Sequence, residues 1–356
     1  MQKPLVLAYG RKTDGIGNID NVFQRFDDLQ NKDFRLCELV IDPLFAGWDT
    51  PVKPGHYRSG CAPLEALDNA YSLIIENQYD AVLIQGKDDL KTGKEYSGDK
   101  RKKWMAIYNG ITIPEAYNKL ADTFIKKNGV LEEDFFLLVD ALYQNHKRAA
   151  IQRGIYKEPD IKWFEKMTPL FRGVDCANPY IDFHGAILMG NSRAFQFLFQ
   201  ENEIEKRIEM SGTGLGSTVG DGEKYIEEIV EYKHLQKALK TAEDISGISL
   251  KQELFNHNIF LELYTCYPIV PLAFLYKTGM GHTSEEIRRI LENIPVTVTG
   301  GMNFARAPWN NPALNGAIAL LEELKHSSVK YAMVHGNGGL GYKQGVAFFT
   351  QYPSAI

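Results

Sequence analysis

Cysteine is scarce in this chain, and the few cysteines are isolated from one another. Four occur in 356 residues, and no two of them form a C-x-x-C pair. The eight histidines likewise form no H-x-x-x-H pair and no cluster with cysteine. These absences exclude a disulfide scaffold and give no indication of a metal site. We expect a reducing cytoplasm, in which each thiol either fills the core or carries chemistry. The cysteines are Cys37, Cys61, Cys176 and Cys266.

Several other signals are missing as well. No run of 18 apolar residues exists that could span a bilayer, and the N-terminal residues lack the apolar core and cleavage site of a signal peptide. The 45 acidic residues slightly outnumber the 40 basic ones, so the net charge of -5 provides no general attraction to nucleic acid. A glycine-rich segment at 212–222 has neither the G-x-G-x-x-G spacing of a dinucleotide-binding turn nor the G-K-[S/T] of a P-loop.

Apolar patterning in the first 90 residues alternates between strand and helix. Residues 64–76 carry apolar side chains at the three- and four-residue spacing of an amphipathic helix, and the nearly all-apolar run 80–86 follows shortly after. A helix followed by such a strand is typical of parallel βαβ units. Further strands are predicted at residues 5–9 and 35–41.

The remaining sequence predicts a helical insertion and then a second α/β half. Two helices are expected within residues 113–150, and an irregular segment then leads to a strand at 182–190. From about residue 207 the alternation of strands and helices returns. Helices are predicted at 235–242 and 312–324, and strands at 259–263, 296–298, 331–334 and 346–349.

A lysine-rich segment, residues 91–104, interrupts the first half. It contains six basic residues within 14 positions. We interpret it as a solvated loop; the alternative is a local anchor for a phosphate-bearing ligand.

Cys61 is the first candidate for chemistry because of its position in the chain. It lies in the sequence S-G-C-A-P, immediately before the predicted helix. A thiol at a helix N-terminus meets the positive end of the helix dipole and free backbone N–H groups, which stabilise a thiolate and could hold an oxyanion. The alternative is an inert buried cysteine, since cysteine is among the most buried residue types.

Other candidate residues follow strands in the second half. Cys266 comes after the predicted strand 259–263, where ligand sites gather in open α/β sheets. Two glycine-rich loops, 299–312 and 335–341, allow close approach of the backbone to a ligand, although tight turns alone would also explain them. His335 is the best-placed histidine, and His56 could neighbour Cys61, whereas His146 and His184 are interpreted as structural.

Several sequence blocks together resemble the thiolase superfamily over most of the chain. The G-C-A block followed by a helix and the strand D-A-V-L-I-Q-G is similar to the thiolase nucleophile block. Residues 113–149 resemble the helices of the thiolase loop domain, and 175–186 the strand that re-enters the first half. The run E-L-Y-T-C-Y-P at 262–268 resembles a D-L-Y-S-C-F-P form, and G-G…A-P-W-N-N at 300–311 a variant of the G-H-P block.

The resemblance implies a duplicated five-layered αβαβα fold with a helical loop-domain insertion. It places the first half at residues 1–112 and 178–203, the insertion at 113–177, and the second half at 204–356. It also implies roles for individual residues. Cys61 matches the acyl-accepting nucleophile, whereas Ala307 falls where the family has its activating histidine. The catalytic set predicted on this basis is Cys61, Cys266, Tyr264 and His335, and the substrate-binding set is Gly301, Asn310, Asn311, Asn337, Gly338 and Gly339.

Two functions are therefore predicted in competition. The first is acyl transfer through Cys61, with a coenzyme A thioester as substrate and no covalently bound cofactor. The second is a catalytically impaired protein that binds acyl-CoA, or serves as a scaffold subunit of a multi-enzyme complex, or cleaves a specialised substrate. The resemblance further implies a homodimer or homotetramer and allows a partner subunit.

Overall fold

The computed structural model describes residues 3–199 and 206–353. The predicted boundary between the first and second halves, at residues 203 and 204, lies outside the described residues. The strands are β1 (Leu5–Thr13), β2 (Ile16–Asn18), β3 (Leu36–Ile41), β4 (His56–Tyr57), β5 (Ala81–Asp89), β6 (Asp182–Gly190), β7 (Lys206–Ser217), β8 (Ile259–Glu262), β9 (Tyr331–Gly338) and β10 (Lys343–Pro353). The helices are α1 (Asp20–Gln30), α2 (Ala62–Ile75), α3 (Asp99–Met105), α4 (Ile113–Asn128), α5 (Glu132–Gln152), α6 (Ser192–Leu198), α7 (Ile226–Ile229), α8 (Lys233–Ser246), α9 (Leu250–Phe255), α10 (Ile269–Lys277), α11 (Ser284–Asn293), α12 (Gly301–Phe304) and α13 (Pro312–His326).

The strands form two half-sheets with the same internal order. The first half-sheet runs β4-β3-β5-β6-β1, and the second runs β8-β9-β10-β7. In each, the strand that follows the central helix is parallel to an earlier strand: β5 to β3 and β9 to β8. In each, the next strand along the chain is antiparallel to it. The two half-sheets join through a single pairing of Leu5 with Glu209. This repeat of order and direction confirms the predicted duplication.

Five layers follow from the two faces of these half-sheets. Helices α2 and α13 contact each other and strands of both half-sheets, so they form the central layer. Helices α1 and α6 contact the first half-sheet, and α8 and α9 contact the second. Alternation along β1 shows the same division, because Val6 belongs to the central core whereas Leu5 and Leu7 pack in the outer cluster with α1 and α6. The predicted α/β class and layered architecture are confirmed.

Glycine brings one outer helix unusually close to its strand. Gly212, Gly214 and Gly216 alternate along β7, so all three face the same side of the sheet. A β-carbon on any of them would overlap the backbone of α8 at Ala242, Ala238 or His234. The glycine-rich segment noted in the sequence is therefore mostly a strand against which a helix packs, rather than a ligand loop.

The insertion consists mainly of α4 and α5. A capping box starts α4, in which Thr112 accepts from the Glu115 N–H and the Glu115 carboxylate accepts from the Thr112 N–H. Gly129 ends the helix in the left-handed conformation (φ 63°). Helix α5 packs against α11 and α12 of the second half, so the insertion is in contact with that half.

Three local predictions are wrong. Residues 296–298 form no strand; the Glu262 carboxylate accepts from the N–H groups of Val298 and Thr299 instead of a strand partner. The lysine-rich segment is not all loop, because α3 occupies 99–105. Its Arg101 donates to the Leu90 and Pro179 carbonyls, and therefore links α3 to two other segments of the chain. Residues 335–338 belong to β9, so the second glycine-rich loop is only a short turn.

No helix of the described residues is long and apolar enough to cross a membrane.

Candidate active site

Cys61 is the N-cap residue of the central helix α2 and lies at the edge of an open cleft. Its side chain is 1% exposed, and its sulfur lies beside Gly345 of β10 and Leu215 of β7. The cleft has a volume of about 530 Å³. Its walls come from the start of α2, the end of β7, the start of β10 and the start of α8. The nucleophile position implied by the sequence is thus buried but borders a space that a substrate could enter.

The backbone N–H groups at the start of α2 are already hydrogen-bonded. The N–H of Cys61 donates to Ser59 Oγ (3.1 Å), and the N–H of Ala62 donates to the Ser59 carbonyl (3.0 Å). Pro63 has no N–H, and the N–H of Leu64 donates to the Cys61 carbonyl (2.9 Å). The expectation that free N–H groups at this helix start could hold an oxyanion is therefore wrong for this conformation.

Backbone strain marks the approach to Cys61. Ser59 is buried and has φ 135°, a conformation that L-residues seldom adopt. Such strain costs about 1–3 kcal/mol and is concentrated at functional sites. Strand β9 lies close against the turn at Ser59 and Cys61. A β-carbon on Gly338 would lie 2.9 Å from Ser59 Oγ and 3.2 Å from Cys61 Cβ. Glycine at 338 lets the strand approach the cysteine this closely.

The charges around Cys61 favour its neutral thiol. Burial raises the pKa of Cys61 well above its ordinary value, and the carboxylates of Glu65 and Asp68 raise it further. Lys343 lowers it, and the Lys343 ammonium is itself paired with Glu65 at 2.7 Å. Formation of a thiolate at this position therefore needs either a base that accepts the proton or a change in these charges.

Tyr264 is close enough to both predicted catalytic cysteines to interact with them electrostatically. Its hydroxyl lies against Gly60, where a β-carbon would overlap it. Burial raises the pKa of Tyr264 well above its ordinary value, and the proximity of Cys266 and of Cys61 adds to this shift. Tyr264 is consequently a neutral hydrogen-bond donor at neutral pH.

A tyrosine that the predicted site did not include lies beside Cys266. Burial raises the pKa of Cys266 to about 12, against the opposing effect of the nearby Tyr117 hydroxyl. The Tyr117 hydroxyl donates to the Gly339 carbonyl (2.6 Å) and accepts from Asn337 Nδ2 (3.1 Å). Tyr117 belongs to the loop-domain block that resembles thiolases, but a single tyrosine on a helix gave no separate signal of this contact.

His335 does not face Cys61. Its Nε2 is 2.7 Å from Gln344 Oε1, and its Nδ1 accepts from the Tyr264 N–H at 3.4 Å. Burial lowers the pKa of His335 to about 4, so the ring is neutral. The next residue in β9, Gly336, is the one that faces Cys61, and side chains alternate along a strand. His335 thus has no free nitrogen for a proton from this thiol.

The other histidine near Cys61 in sequence is also engaged elsewhere. His56 Nδ1 is 2.8 Å from Asp42 Oδ1, and Arg58 donates to the other oxygen of Asp42. Ala307, in the place of the family's activating histidine, is 2% exposed and donates its N–H to the Asn178 carbonyl. Its methyl group can accept no proton.

The predicted substrate-binding residues divide into two groups. Asn337, Gly338 and Gly339 lie beside Cys61, Cys266 and Tyr117, as described above. Asn310, Asn311 and Gly301 instead bind within the protein. Asn310 Nδ2 donates to the Asp42 carbonyl (2.8 Å), Asn311 Nδ2 donates to Asp88 Oδ2 (3.3 Å), and the Gly301 N–H donates to Thr297 Oγ1 (3.2 Å).

Comparison with solved structures identifies the architecture. The chain superimposes on a monomeric SCP2-thiolase-like protein type 1 from Mycobacterium smegmatis with a TM-score of 0.69 and 18% identity, covering 98% of this chain and 77% of that one. The fold is thiolase-like. A second match, an Ltp2-ChsH2(DUF35) aldolase, has a TM-score of 0.65 and 13% identity, with 97% of each chain covered. No protein-family profile matches the chain, and no curated protein matches its sequence.

Proposed function

We propose that the protein accepts an acyl group from a coenzyme A thioester onto Cys61. The observation that carries this proposal is the placement of the Cys61 sulfur, at the start of the buried helix α2 and at the edge of a cleft of about 530 Å³. In this step the sulfur of Cys61 attacks the thioester carbonyl carbon and a new C–S bond forms. The bond to the coenzyme A sulfur breaks, and the proton lost by Cys61 ends on the coenzyme A thiol.

The surroundings of Cys61 predict slow acyl transfer. Among the described residues, His335 and His56 are engaged by other partners, and burial keeps the Cys61 thiol neutral. Loss of a general base costs about 10²–10⁴-fold in rate. We therefore expect an acyl-enzyme to form within minutes to hours, and acetoacetyl-CoA thiolysis to remain far below that of ordinary thiolases.

Intact-mass spectrometry tests the proposal directly. Incubation with acetyl-CoA should add one acetyl group, and Cys61→Ser should abolish the adduct, whereas Cys37→Ser on β3 should retain it. The proposal is refuted if the wild-type protein stays unmodified or if the adduct persists in Cys61→Ser. Rapid acetoacetyl-CoA thiolysis would show instead that another base serves the site.

A second candidate is a binding or scaffold subunit with no turnover at Cys61. The alanine at 307 and the occupied N–H groups at the start of α2 favour it. One structural neighbour is an Ltp2-ChsH2(DUF35) aldolase, and this similarity supports a partner subunit for the present chain. This candidate predicts acyl-CoA binding by calorimetry without thioester exchange, or co-purification with a partner. Light scattering would test the homodimer or homotetramer that the sequence resemblance implies.

A further inference from the structure

The cleft beside Cys61 contains an ion pair to which the sequence resemblance assigns no role. Lys343 opens strand β10, and Glu65 lies one helical turn after Cys61 on α2, on the same face of the helix. The Lys343 Nζ atom is 2.7 Å from Glu65 Oε1. Both residues line the cleft together with Cys61.

Lys343 and Cys61 flank the same point of the structure. A β-carbon on Gly338 would lie 3.0 Å from Lys343 Cβ and 3.2 Å from Cys61 Cβ, so both side chains start beside this glycine. The side chains of Lys343 and Glu65 are 30% and 21% exposed. Charges that are this far withdrawn from solvent are screened less than those on an open surface.

We propose that Lys343 is a positioning residue that stabilises the Cys61 thiolate in place of the missing histidine, and that Glu65 restrains it by pairing with the ammonium. An ammonium beside a thiol favours the ionised form, and a carboxylate beside it favours the neutral form. When Glu65 is neutralised or drawn away, the full charge of Lys343 acts on the sulfur.

The other charged groups near this pair differ in their position. Asp68 on α2 opposes a thiolate. Tyr342, immediately before β10, and Tyr264, in the segment after β8, also interact electrostatically with Cys61. The cleft rim carries charges of both signs from α7, α8 and the turn between them, and the described residues there give it no strong net charge. These rim residues are Glu228, Glu231, Lys233, His234 and Lys237.

The test measures how fast iodoacetamide alkylates Cys61 as a function of pH, with each cysteine followed by peptide mass. Iodoacetamide is uncharged, so its rate reports the thiolate fraction and access rather than ligand charge. We expect Lys343→Met to slow alkylation of Cys61 about tenfold at pH 8 and to move its pH midpoint upward by about one pH unit. Lys343→Arg should restore the rate to within about threefold, and Glu65→Gln should raise it above the wild-type rate.

Matched controls separate this role from a structural one. Lys237→Met removes a lysine that lines the same cleft and should change the Cys61 rate less than about twofold, because Lys343 and not Lys237 acts on the pKa of Cys61. The half-buried Cys37 on β3 should react at an unchanged rate in every variant that is correctly folded. Equal effects of Lys343→Met and Lys237→Met, a slower rate in Glu65→Gln, or no alkylation of Cys61 at all would overturn the inference.

This inference draws its biological meaning from the proposed acyl transfer, but the alkylation assay needs no acyl-CoA. A Lys343-dependent alkylation without an acetyl adduct would refute acyl transfer and leave the role of Lys343 intact. An acetyl adduct, together with a Cys61 alkylation rate that does not change in Lys343→Met, would refute the role of Lys343 and leave acyl transfer intact.

Discussion

Asp88, near the end of β5, should make the stability of this protein depend on pH. The side chain is 1% exposed and lies against the segment that begins helix α13. It accepts from the Leu44 N–H (2.8 Å), the Tyr96 hydroxyl (3.2 Å) and Asn311 Nδ2 (3.3 Å). These hydrogen bonds lower the pKa of Asp88, but burial outweighs them and raises it to about 6.

The size and sign of the effect follow from this shift. A rise from the ordinary 3.8 to about 6 corresponds to about 3 kcal/mol, since each tenfold change in proton affinity is worth about 1.4 kcal/mol. The folded protein holds this proton more tightly than the unfolded chain. The contribution of Asp88 to stability is therefore fully present below about pH 4 and is lost as the pH rises through about 6. Roughly half of the 3 kcal/mol should be lost between pH 5 and pH 8.

Urea unfolding of the wild-type protein and Asp88→Asn at pH 5 and pH 8 tests this reasoning. Asparagine cannot ionise, so the variant should gain about 1–2 kcal/mol relative to the wild type on going from pH 5 to pH 8. Asp49→Asn, at an exposed position, controls for the loss of one negative charge. A difference between wild type and Asp88→Asn that is the same at both pH values would refute the assignment of a raised pKa to Asp88.

Two further substitutions test the packing. Gly214→Ala should lower the free energy of unfolding by about 1–3 kcal/mol or more, because its β-carbon would overlap the Ala238 carbonyl of α8. Ser217→Ala, at the exposed end of the same strand, should have little effect. Equal urea midpoints for the two variants would contradict the close contact. His335→Ala should destabilise the fold by about 2–4 kcal/mol but keep the rate of Cys61 alkylation within about twofold of the wild-type rate. A tenfold slower alkylation would instead show that His335 acts on the thiol.

Much of the fold could be predicted from the sequence because its elements have strong local patterns. The strand at 182–190 and the helices starting at Ile113 and Pro312 coincide with their predicted positions. The segment 296–298 resembles a strand in sequence because Val296 and Val298 are apolar, yet it is a loop in which Val296 is buried and Val298 half-buried. The feature that decides its conformation is the carboxylate of Glu262, more than 30 residues earlier, and no local pattern reports such a contact.

The site was predictable in its residues but less so in its contacts. The position of Cys61 at the start of α2 follows from its local sequence, and so does the closeness of Gly338 once the fold is assigned. The use of the helix N–H groups by Ser59 could not be predicted, since it depends on an uncommon backbone angle at that serine. Likewise, the ring of His335 turns away from Cys61 because β9 extends further than expected, and strand alternation then assigns it to the other face.

The loop that contains Ala307 is fastened at both ends by side chains. At its start, the Glu262 carboxylate holds the backbone at Val298 and Thr299, and at its end Asn310 donates to the Asp42 carbonyl. None of these contacts involves the side chain at position 307. The contacts that hold the two ends of this loop therefore do not depend on the side chain at position 307, where the sequence resemblance implies an activating histidine. A substitution at position 307 would therefore change which chemical groups lie there while these contacts persist.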